Sequence, residues 1–150
     1  MLKNLKYLIL LIGLARSAYF DNQNHKISNQ SIGMLLSIRG IFLILEMLMS
    51  SNHWREPLTQ TARGFLVLGS LMLGVYYLTG KSIGGGDVKL LAVMGAFCGY
   101  EQTLWMTFFA AIFAVVPSVF GKKRTEIPFA PYIFMGTTAF IVLQWLKNEK

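Results

Sequence analysis

The chain has 150 residues, 54% of them apolar and only 14% charged, with a formal net charge of +7. A soluble domain carries charge on about a quarter of its residues, so this composition excludes a globular domain with an added anchor and points to a polytopic membrane protein. The basic residues are scattered over short loops, which fits anionic lipid headgroups and not nucleic acid, and the one cysteine, Cys98, excludes an internal disulfide or a Cys-only zinc cluster.

The N-terminus has the look of a secretory signal. Lys3 and Lys6 precede an apolar run over 7–14, and Ala15-Arg16-Ser17-Ala18 has the small residues of a cleavage site. Arg16 is awkward in such a site and further apolar segments follow, so 5–20 reads as a retained span. A span needs about 20 mostly apolar residues. Five more segments qualify: 32–49, 64–79, 88–100, 103–120 and 132–146. The fourth is short; it is either tilted, partly embedded, or continuous through Glu101 with the fifth. The expected fold is therefore all-α, a single polytopic membrane domain over 1–150 with about six transmembrane helices. Brief loops make neighbouring helices antiparallel. No repeat, low-complexity tract or domain linker interrupts the chain.

The chain holds only two aspartates, Asp21 and Asp87, each at the edge of a predicted span. Two crossings separate them, so both face the same side of the membrane. The loop after the fifth segment, with Lys122-Lys123-Arg124 and Pro128-Phe129-Ala130-Pro131, shares that side if the fourth segment crosses. Positive charge orients the bundle weakly. Lys26, Lys81, Lys89, Lys122, Lys123 and Arg124 on the aspartate side face Lys3, Lys6, Arg55, Arg63, Lys147 and Lys150 on the other. Arg16 and the compact Lys-Lys-Arg run tip the aspartate side toward the cytoplasm. Gly95 and Gly99, Ala92 and Ala96, and Ser70 and Gly74 have the small-xxx-small spacing of close helix contacts; glycine's general frequency in membrane helices explains them equally well.

An ionisable residue at membrane depth is costly and is read as functional by default. Paired carboxylates cleave a peptide bond when one is ionised and one protonated. The first takes a proton from the attacking water and the second donates to the carbonyl oxygen. Two like charges close together resist double ionisation, so such a pair shares one proton and titrates as a unit. Gly84, Gly85 and Gly86 are expected to permit positive φ and close backbone approach ahead of Asp87. The competing reading of Asp87 is a helix N-cap, and a lone loop aspartate such as Asp21 is ordinarily just solvated.

At these residues the chain resembles a known family. Gly84-Gly85-Gly86-Asp87 matches the GxGD signature of intramembrane aspartyl proteases. Gly86-Asp87-Val88-Lys89-Leu90-Leu91-Ala92 resembles the GDxKLLA segment of type IV prepilin peptidases. Asp21 precedes Ile27-Ser28-Asn29 where that family carries Ile-Pro-Asn, and Pro128-Phe129-Ala130-Pro131 is similar to its PFGP-like segment. The resemblance runs from Asp21 to Pro131. It implies a six-helix membrane protease with Asp21 and Asp87 as the catalytic pair near the cytosolic face, and prepilin or pseudopilin precursors with a basic leader as substrate. Presenilin-like proteases share GxGD but carry PALxP, which this chain lacks. Two departures stand out. Ser28 replaces the family's proline, which suggests a less rigid or differently shaped loop. The paired CxxC motifs of members that also methylate the new N-terminus do not occur, so the expectation is a short form: proteolysis without methyl transfer, with no zinc and no cofactor.

Other residues carry two readings each. Lys89 either holds an acidic substrate group or tunes Asp87, or it snorkels to the headgroups. Asn29 either caps the second span or orients the loop. Gly84, Gly86, Lys89 and Asn29 are the expected motif or substrate-positioning residues. Arg39 and Glu46 share a face of the second span, seven apart, and are expected to find partners on other helices without touching each other. His25, His53 and Cys98 lack neighbours at metal-site spacing. A rival class is a small transporter with a proton or cation pathway, which needs a run of polar groups through the bilayer; a third reading is an inactive scaffold of a pilus or secretion complex.

Overall fold

A computed structural model of the protein describes residues 2–24, 27–49, 55–80, 84–120 and 129–148. Its elements are six α-helices: α1 Leu2–Asn24, α2 Asn29–Met49, α3 Arg55–Leu78, α4 Gly85–Cys98, α5 Tyr100–Phe120 and α6 Ala130–Asn148. Each predicted apolar segment is centred on its own helix, but 64–79 runs one residue past α3, and 88–100 runs past α4, through Gly99 to Tyr100 at the start of α5. Elsewhere the helices overrun the segments because flanking stretches with many polar residues, such as Arg55 to Arg63 in α3, continue the hydrogen-bonded ladder. Asp21 therefore lies inside α1 and does not close it. His25, Lys26, His53, Lys81 and Lys122 to Pro128 fall outside the described residues.

Among the described residues, two helices, α2 and α3, are long and apolar enough to cross a bilayer by length and composition. This is fewer than the six expected. One reason is local: α4 has 14 residues, about 21 Å of helix against a hydrocarbon core of about 30 Å. Apolar side chains nonetheless cover the outer faces, among them Ile12, Leu48, Leu66, Trp105, Phe108 and Val142.

Helix α4 is the centre of the bundle. It touches α1, α2, α3 and α5, and every residue from Leu90 to Phe97 is buried. A helix that is apolar all round suits a protein core or lipid equally; here the neighbouring helices enclose it. Small residues allow its closest approach: a Cβ on Gly64 of α3 would collide with the backbone carbonyl of Gly95, and one on Gly95 with the carbonyl of Gly64. Gly95 thus makes the expected contact, opposite Gly64. Gly74 faces open space, so the Ser70–Gly74 pair is not a contact face. In the α5–α6 pair, Gly136 lies against the backbone of Met106 and Ala110.

Contacts between α1 and α2 climb one helix as they descend the other. Lys6 meets Glu46, the Gly13 position abuts Leu35, and Arg16 reaches Met34. The pair is antiparallel.

The end of the bundle away from the aspartates holds a polar clamp. The Arg39 guanidinium, 4% exposed, donates to the Ala96 carbonyl at 2.7 Å, to Glu46 Oε2 at 2.9 Å and to the Thr61 hydroxyl. Lys6 completes the pair on Glu46. Arg39 and Glu46 therefore do touch, contrary to expectation: two long side chains span the two turns between them. The Ala96 carbonyl lies in the last turn of α4, where carbonyls lack helical partners and favour a cation.

Candidate active site

Asp21 is buried, 6% exposed, on the α1 face that also buries Leu10, Leu14 and Ser17. Its Oδ2 accepts a hydrogen bond from the backbone N–H of Ala130 at 3.1 Å. The donor is the first residue of α6. The next residue, Pro131, has no N–H, and the Tyr132 N–H bonds back to the Phe129 carbonyl. Ala130 thus presents a donor that the helix cannot satisfy itself, and Asp21 caps α6 from another helix. The sequence signal was the Phe129-Ala130-Pro131 run, which sequence alone reads as loop; a lone N–H ahead of a proline at a helix start marks it as a donor.

Asp87 sits in the first turn of α4, ahead of the predicted span 88–100. It is not the N-cap. That position is Gly84, extended at φ −62° and ψ 129°, and it makes no side-chain cap. The Asp87 carboxyl lies in the electrostatic field of Asp21. Burial pushes it up to about 7, and the nearby Asp21 charge adds to the rise. Two carboxyls far apart in sequence thus share one end of the bundle.

The glycines ahead of Asp87 provide space and not unusual torsion. Among the described residues, positive φ occurs only at Gly80 and Gly99, which corrects the expectation for Gly84 to Gly86. A Cβ on Gly84 would stand 2.9 Å from Asp87 Oδ2, and one on Gly86 would stand 2.9 Å from Ile27 Cβ. A Cβ on Gly85 would meet nothing. The GxGD pattern follows from this: the first glycine makes room for the carboxyl, the second admits the Ile27 segment, and the middle position is free.

The Ile27-Ser28-Asn29 segment is docked on α4. Ile27 packs on Gly86, and Lys89 Nζ donates to Asn29 Oδ1 at 3.1 Å. Lys89 and Asn29 thus engage each other across the two motifs. Ser28, not Asn29, caps α2: its hydroxyl accepts from the Gln30 N–H at 3.3 Å, and its carbonyl takes the N–H of Ser31 and Ile32. Serine is a favoured N-cap, so the residue that departs from the family's proline has a defined structural role here.

Among the described residues, no three His, Cys, Asp or Glu side chains gather as a metal site. A cavity of about 620 Å³ is lined by Lys6, Arg39, Glu46, Glu56 and Gln102 at the clamp end. It does not hold the aspartates. Carboxyl chemistry, not cavity size, locates the candidate site.

The family model described as the type IV leader peptidase family matches residues 8–119. The chain is similar to the "Prepilin leader peptidase/N-methyltransferase" of Bacillus subtilis (strain 168), 33% identical over 57% of this chain and 36% of that one. The protein of the same name from Xanthomonas campestris pv. campestris is 36% identical over 61% of this chain and 33% of its own length. That of Stutzerimonas stutzeri is 31% identical over 76% and 38%. The match spans about a third of the length of these curated relatives, and no solved structure matches significantly. That family is membrane-embedded, and with its model matched over most of this sequence, the chain belongs to the type IV leader peptidase family.

Proposed function

We propose that this chain is an intramembrane aspartic endopeptidase that removes the basic leader of prepilin-like or pseudopilin precursors. The reading places its six helices in the cytoplasmic membrane of a bacterium or archaeon, with Asp21 and Asp87 toward the cytosol. The observation that carries it is the convergence of these two carboxyls, each supported by a separate motif. Asp87, raised toward neutrality by burial and by its neighbour, is the proton-bearing member of the pair. The partner carboxylate takes a proton from water as the water oxygen bonds to the scissile carbonyl carbon. Asp87 gives its proton to the carbonyl oxygen. The tetrahedral intermediate then collapses: the C–N bond breaks, the departing amine takes the proton that the partner carboxylate had gained, and a hydroxyl of the intermediate returns a proton to Asp87. The apolar helix of the precursor lies in the bilayer and presents its leader junction at this end.

The transporter reading finds little support. The polar clamp at one end and the carboxyls at the other are separated by Leu10, Leu14, Leu35, Leu91 and Met94, all buried.

The test is co-expression with a prepilin-like precursor. The parent converts it to the mature length. Asp21→Asn and Asp87→Asn, made separately, each abolish conversion. Normal processing by either variant ends the proposal.

A further inference from the structure

Helix ends meet at the polar clamp. The cavity of about 620 Å³ there is lined by Lys6 near the start of α1, Glu46 near the end of α2, Glu56 at the start of α3, Ala96 near the end of α4 and Gln102 at the start of α5. The ends of helices in a membrane bundle lie at headgroup level. Trp145, near the end of α6 and 59% exposed, is of a residue type concentrated at that level. The charges on the cavity wall are incompletely matched within the chain. Lys6 and Arg39 both pair with Glu46, so two cations share one carboxylate. The Lys6 ammonium has three N–H groups and donates to Glu46 Oε1, which leaves donors for a ligand. Glu56 is exposed and makes no ion pair among the described residues. The wall thus offers surplus positive charge at one place and an unmatched carboxylate at another.

A second cavity adjoins the first. Of about 340 Å³, it lies between α1 and α6, and its apolar wall is Leu8, Leu11, Ile141, Val142 and Trp145. Tyr7 lines both cavities. Its hydroxyl donates to Gln102 Oε1 in the first and stands 3.4 Å from Gln144 Oε1 in the second. From Asn4 to Leu11 the groove follows α1 inward from the helix end for about 10 Å. A charged cavity at headgroup level and an apolar groove running toward the bilayer interior, side by side, have the two-part character of an amphiphile.

We infer that the two cavities together hold one phospholipid with an ammonium headgroup, in the leaflet opposite the aspartates. Its phosphate engages Lys6, its ammonium reaches Glu56, and one acyl chain lies along Leu8, Leu11 and Val142. A soluble phosphate compound matches Lys6 but leaves the groove empty. An anionic lipid fills the groove but leaves Glu56 unmatched. The site rests on the membrane embedding of the family and not on the proposed proteolysis.

Native mass spectrometry of the full chain, purified in detergent and offered equal amounts of phosphatidylethanolamine and phosphatidylglycerol with the same acyl chains, tests this. The chain retains one phosphatidylethanolamine, preferred roughly threefold, as a solvent-accessible ion pair to Glu56 would give. Glu56→Gln removes the preference. Lys6→Met lowers retention of both lipids about tenfold, the effect of losing a hydrogen bond from a charged donor. Val142→Trp, at a half-exposed position, fills the groove and lowers retention by a similar factor. It decides the matter if Lys6→Met does not fold, because normal retention in Val142→Trp overturns the site. Inorganic phosphate in excess leaves the lipid bound. Displacement of the lipid by phosphate marks a free-anion site and overturns the lipid assignment, as does a preference for phosphatidylglycerol. Retention unchanged in all three variants means that lipid coats the outer faces without a site, and overturns it as well.

Discussion

Asp21 Oδ2 and the backbone N–H of Ala130 lie 3.1 Å apart across 109 positions of sequence. One bond fastens the first helix to the start of the last. It also fixes the rotamer of one of two carboxyls on which the proposed chemistry depends. Ala130→Pro removes the N–H while keeping a residue favoured at the first helical position. The expected result is a roughly tenfold fall in kcat/KM, about 1.4 kcal/mol, with little change in helix content by circular dichroism. Ala130→Gly keeps the N–H and is expected to lose less than about threefold. Equal loss in both variants would mean that side-chain packing, not the bond, is what matters.

Asp87 carries a pH signature. Its folded-state carboxyl rises to about 7 from the ordinary 3.8, so the folded state binds the proton more tightly than the unfolded chain. The favourable term is full below about pH 4, declines through the interval, and is gone above about 7. Asp87→Asn should therefore raise the melting midpoint more at pH 8 than at pH 5. The upper limit of that difference is roughly 3 kcal/mol, the two units between pH 5 and about 7 at about 1.4 each. A shift of the same size at both pH values would show that Asp87 is not held neutral by its surroundings. In the parent, kcat/KM should fall as pH rises past about 7.

The glycine run separates space from flexibility. Gly84→Ala places a methyl against Asp87 Oδ2, whereas Gly85→Ala meets nothing. The first variant should lose processing by tenfold or more, a cost above about 1.4 kcal/mol in the transition state. The second should process normally and gain about 0.4–1 kcal/mol of stability from a less flexible unfolded chain. Precursor conversion and thermal melts of the two variants check this directly.

Ser28 should contribute as a cap. Ser28→Ala removes the oxygen that accepts the Gln30 N–H and should cost about 1 kcal/mol, read as a lower melting midpoint. No loss of stability would mean that this 3.3 Å bond adds little and that Ile27 on Gly86 and the Lys89–Asn29 bond seat the segment.

Helix positions were legible because apolar runs punctuated by glycine, proline and charge are a strong signal. The ends were not, since the largely polar stretch from Arg55 to Arg63 and the polar Asn24 are helical. The aspartates stood out through scarcity and flanking motifs. Their contacts did not, because a backbone donor such as Ala130 leaves no mark on composition. Arg39 and Glu46 read as separate charges because spacing counts turns, whereas side-chain length bridges them. Gly84 and Gly86 read as sites of positive φ because sequence shows a missing Cβ without showing what occupies the space.

Helix α4 is too short to hold itself across a bilayer and is enclosed by its neighbours. During synthesis it emerges behind α3, to which it is keyed by Gly64 and Gly95 with no side chain between them. On the proposed six-helix membrane topology, the two are expected to enter the bilayer as a hairpin. A bulky residue at Gly64 would therefore be felt first as failed biogenesis and degradation, long before any question of turnover arises.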